Sequence, residues 1–149
     1  MKITNDTVAR AYETLRKYKA GKASLENRLI ENEQWYKLRH WECMRKKQDQ
    51  VEPVSGWLFN AIANKHADAM DNFPAANILP REEAKLLSSI IPVVLEQNDF
   101  EEVYDAVWDY KLKAGTGIYG IFWDKSKLGG LGDIAIRKVD IVNLFWESG

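Results

Sequence analysis

The sequence predicts an α+β fold, with about five helices followed by a small antiparallel β-sheet. Three observations predict it. Apolar residues recur at helical spacing through most of residues 7–114. From residue 118 the apolar period changes to two, the signature of strands. Gly115 and Gly117 stand at the change. Helices first and strands afterwards is the order of an α+β domain.

Thr4, Asn5 and Asp6 offer N-caps for a first helix over 7–20, where Val8, Ala11, Tyr12, Leu15 and Tyr18 share a face. Gly21 is the expected stop. Ser24 opens a second helix, reaching about Gln48. The third spans 55–73, with Leu58, Ile62, Ala69 and Phe73 on one face and Asn60, Asn64, Asp68 and Asp71 opposite. Prolines 74 and 80 mark an extended connector. The fourth helix covers 81–97 and contains Pro92. The fifth starts at Asp99, where D-x-x-E resembles a capping box, and runs to Gly115. Strands follow at 118–124, 133–139 and 141–147.

These elements group as N-terminal helices over 1–50, a helical part over 54–115 and a β part over 117–147. The expected organisation is a single domain or fragment spanning 1–149. Leu144, Phe145 and Trp146 lie close to the last residue, where chains are usually polar and frayed, so a fragment with further elements after it is expected.

Bulk properties exclude several function classes. The chain has 149 residues, 46% apolar and 29% charged, with formal net charge −1. Proteins that coat nucleic acid by charge alone are strongly basic. The lone cysteine, Cys43, forms no intrachain disulfide. The first residues lack the apolar stretch of a secretory signal, and no apolar run nears the ~18 residues of a membrane span. Assembly in a cytoplasm, with no membrane partner, is expected. Six tryptophans are many for this length, so some are expected to face a partner.

The stretch KAGTGIYGIFWD places Gly115, Gly117 and Gly120 at the spacing G-x-G-x-x-G. A dinucleotide site needs a strand before this loop and a helix after it, so that a helix N-terminus meets the pyrophosphate. Here the predicted helix comes first, and a phosphate would meet its negative C-terminal end. Kinase-type H-R-D and D-F-G motifs are missing. The glycines read as structural: Gly115 ends a helix, Gly117 allows the turn, and Gly120 permits a bulge or close backbone approach.

His40 and Cys43 have ligand spacing, but a zinc site needs about two more ligands. The other histidine, His66, shares the apolar stripe of Leu58, Ile62 and Phe73 and reads as a satisfied, partly buried side chain. Glu82, Glu83, Glu101, Glu102, Asp105 and Asp109 fall in first helical turns or on exposed faces, without the apolar flanks that raise a catalytic pKa. No catalytic constellation, cofactor site or metal site is expected, and the chain does not read as an enzyme.

The best polar candidate is the basic and aromatic segment 35–47. Trp35, Lys37, Arg39, Trp41, Arg45, Lys46 and Lys47 read there as an interface or a DNA-facing surface. Glu31, Glu33 and Glu42 dilute its charge. A DNA- or protein-binding adaptor using this helix is the alternative function.

Five segments carry a family resemblance: NAIANKHAD at 60–68, NFP…NILPRE at 72–82, VVLEQNDFEEVY at 93–104, KLKAGTGIYGIFWD at 111–124, and GLGDIAI…VDIVNLFWE at 130–147. Together they resemble the N-terminal region of portal proteins of tailed bacteriophages, in particular those of phages and prophages of Gram-positive bacteria. The resemblance covers residues 54–149. It implies a wing-type part of a subunit that forms a homo-oligomeric ring, typically of about twelve copies, at one capsid vertex. Such a head-tail connector passes double-stranded DNA during packaging and ejection. Its implied partners are capsid, scaffold, terminase and tail adaptor proteins, and its implied place is the virion, assembled in the bacterial cytoplasm. The family's stem, clip and crown have no counterpart in this sequence. A near-zero net charge suits a channel that lets DNA slide.

Overall fold

The computed structural model describes residues 3–42, 51–74 and 84–146. The class is α+β: among the described residues there are four α-helices and one two-stranded antiparallel sheet. The chain groups into two compact units, residues 60–139 and residues 1–59 with 140–149.

In the unit built from both chain ends, helix α1 runs without interruption from Asn5 to Tyr36. The Thr4 hydroxyl accepts from the Thr7 amide and caps it. The expected break at Gly21 is absent, and two expected helices are one. A glycine stop requires the chain to leave in the left-handed conformation, whereas Gly21 stays helical. The helix ends earlier than expected, with a turn from Lys37 in which Leu38 takes a φ of 60°.

The expected strand at 141–147 is also absent among the described residues. Ile141–Asn143 form a 3-10 turn instead. The Asp140 carboxylate accepts from the Val142 amide at 2.9 Å, which favours the turn over a sheet ladder. Lys22 of α1 then draws the segment in. Its Nζ donates to the Val142 and Leu144 carbonyls, each at 2.7 Å, and lies 4.7 Å from the centre of the Phe145 ring. Lys22 is 4% exposed, and the carbonyls and ring replace the water its charge has lost.

The second unit holds most of α2 (Trp57–Asp71), α3 (Ala84–Gln97), α4 (Phe100–Ala114), β1 (Ile118–Asp124) and β2 (Asp133–Val139). Only Asn98 and Asp99 separate α3 from α4. Asp99 makes this reversal with φ 46° and ψ 49°, and its side chain does not cap α4. The expected capping box is therefore not formed. The Asp99 carbonyl instead accepts from Glu102 and Val103 as the helix begins.

The strands pair from Ile118 opposite Val139 to Asp124 opposite Asp133, with the expected boundaries. Tyr104 and Val107 of α4 are buried, as are Ala135 and Ile136 of β2. Phe73 meets Tyr104 edge-on at 4.9 Å, joining the end of α2 to this core.

Candidate functional site

The glycine loop lies where α4 hands over to β1. Gly115 closes α4 with φ 82°, and its amide donates to the Lys111 carbonyl at 2.8 Å. A residue with Cβ is strained in this left-handed conformation. Gly117 is needed for a different reason. A Cβ there would stand 2.7 Å from Val107 Cγ1 and 2.8 Å from the Val107 carbonyl oxygen. The backbone passes against α4, and a hydrogen is all that fits. Gly120 lies within β1 opposite Arg137, and its Cβ would press on Phe122 and on Val139. The loop thus follows a helix C-terminus and packs on that helix's own side chains. It offers no helix N-terminus to an anion.

The 35–47 segment divides. Trp35 lies on the last turn of α1 and stacks on His40 at 4.4 Å. Lys37 pairs with Glu33 at 2.8 Å, and Arg39 with Glu42 at 3.7 Å. Trp41 donates its indole N–H to the Pro53 carbonyl at 3.0 Å. These groups lie on a helix end and a turn, so the continuous helix expected to carry them is not present. Glutamates face both described cations, which weakens the segment as a phosphate-binding surface. Arg45, Lys46 and Lys47 lie outside the described residues, as does Cys43.

His66 is half-buried, and its Nε2 lies 3.1 Å from Asp105 Oδ1 and 3.3 Å from the Asp105 carbonyl oxygen. Both neighbours accept, so this nitrogen carries a proton and donates. It ties α2 to α4. Among the described residues no group of three or more His, Cys, Asp or Glu side chains fits a metal ion. No described helix is long and apolar enough to cross a membrane.

Sequence reasoning missed two features. Asn98 is a junction for the second unit. Its Oδ1 accepts from Lys127 Nζ at 2.7 Å and from the Ile136 amide at 3.2 Å, and its Nδ2 donates to the Val94 carbonyl at 2.7 Å. An asparagine beside a helix end reads as a cap, and spacing alone does not reveal a bond to a strand 38 residues on. The other feature is a groove of about 1150 Å³, lined by apolar groups such as Phe73, Pro92, Leu95 and Phe100 and by carboxylates such as Glu96 and Glu101.

The surface carries much of the aromatic excess. Trp35, Trp57, Trp123 and Trp146 are all exposed, Trp57 by 83%. Comparison of the chain with family models, curated proteins and solved structures found no match in any of the three.

Proposed function

We propose that the chain is the N-terminal, wing-type part of a phage portal subunit. The observation that carries this reading is the ordered set of five segments that resemble that family over residues 54–149. The arrangement of those segments supports it. VVLEQNDFEEVY holds the α3–α4 reversal and Asn98, and KLKAGTGIYGIFWD holds the α4–β1 joint. Two of the five resembling segments thus hold joints of the second unit. The tryptophans exposed among the described residues are what a chain that packs against copies of itself would carry.

In this role the protein performs no bond chemistry. It closes a ring, admits double-stranded DNA and joins head to tail. A phage or prophage with this reading frame deleted should make heads that contain no DNA and carry no tails, and the intact gene supplied in trans should restore both. DNA-filled, tailed particles from the deletion strain would contradict the proposal.

A further inference from the structure

The two strands of the sheet have unlike outer edges. That of β2 is closed. The Ile136 amide donates to Asn98 Oδ1, the Ile134 carbonyl accepts from Lys127 Nζ at 2.9 Å, and the Ile134 amide donates to Asp133 Oδ1 at 2.7 Å. These bonds show that Ile134 and Ile136 turn their backbone groups away from β1.

In an antiparallel ladder, facing residues alternate between pairs that bond to each other and pairs that turn their groups outward. Ile134 faces Trp123, and Ile136 faces Ile121. Trp123, Ile121 and, by the same period, Tyr119 therefore point their N–H and C=O groups to the outer side of β1. Among the described residues no strand lies there.

Folded proteins guard such edges with lysine, proline or a bulge. Lys127 and Asn98 guard β2. The sequence of β1, IYGIFWD, has neither lysine nor proline, and Ile121 and Trp123 are 73% and 62% exposed.

We infer that this edge pairs with β1 of a second copy of the chain, antiparallel and two-fold about Ile121. The outward residues are self-complementary: an aromatic stands two positions to each side of Ile121, so Tyr119 of each copy faces Trp123 of the other. Cross-strand aromatic pairs stabilise sheets. The product is a four-stranded sheet, β2–β1–β1–β2, in place of two ribbons that are marginal alone.

Sedimentation velocity on the 149-residue chain over rising concentration tests this, together with two variants. The mass should approach that of two copies. Ile121→Lys, at an exposed position, should weaken association roughly tenfold or more with an unchanged circular-dichroism spectrum. Ile121→Cys in a Cys43→Ser background should oxidise to a cross-linked dimer, because residues facing each other in a bonded pair lie about 5.5 Å apart at Cα, within disulfide reach. The cross-link decides alone if Ile121→Lys loses its fold. A chain monomeric throughout, association untouched by Ile121→Lys, or association without the cross-link would each overturn the inference. A two-fold contact closes at two copies and builds no ring, so its failure leaves the portal reading where it stands.

Discussion

At Gly117 the backbone runs so close to Val107 that one added carbon meets both a side chain and a carbonyl. Gly117→Val should destabilise the second unit by about 1–3 kcal/mol, the usual cost of forcing volume into a packed site. Thermal or urea unfolding followed by circular dichroism reads this directly. A variant that unfolds like the parent would contradict the packing described. Asp124 makes a second prediction. The Ser126 hydroxyl and amide bond its carboxylate, and with Arg137 beside it they hold its pKa below the ordinary carboxylate range. A depressed pKa means that the folded hairpin favours the ionised form. Its contribution is present above the ordinary carboxylate pKa and is lost as pH falls through the lower, folded value. Asp124→Asn should therefore lower stability slightly near neutral pH, leave the acid end little changed, and so flatten acid unfolding in that window. A parallel acid titration of the two proteins checks it, and identical curves would remove Asp124 from the account.

At the scale of elements, α1 is the largest departure from what spacing implies. Gly21 invites a stop, yet it lies in helical conformation with open space where a Cβ would stand. Gly21→Ala should raise stability by about 1 kcal/mol, as glycine inside a helix loses more chain entropy than alanine. A left-handed stop at Gly21 would give the opposite sign, so the same unfolding experiment decides between one helix and two. Local rules made α3, α4 and both strands legible, because each carries its own period and Gly115 and Gly117 mark the joint. They did not reveal the fate of 141–147. That segment has strand composition, but Lys22, 120 residues away, takes the Val142 carbonyl, and the Asp140 cap turns the chain first. Nor did they reveal the Asn98 junction. Both depend on partners distant in sequence, which no window of neighbouring residues contains.

At the scale of the molecule, the described residues bury few large side chains and leave many aromatic and aliphatic ones in the open. On the portal reading, that surface is where neighbouring subunits would pack. G-x-G-x-x-G suggests a phosphate cradle only while its surroundings are ignored. In place, it ends one helix, crosses that helix's flank and opens a strand. The portal reading makes assembly the central claim, and native mass spectrometry of the protein expressed from its complete reading frame measures assembly most directly. The account predicts one closed ring of about twelve subunits. A stable monomer at high concentration would contradict it.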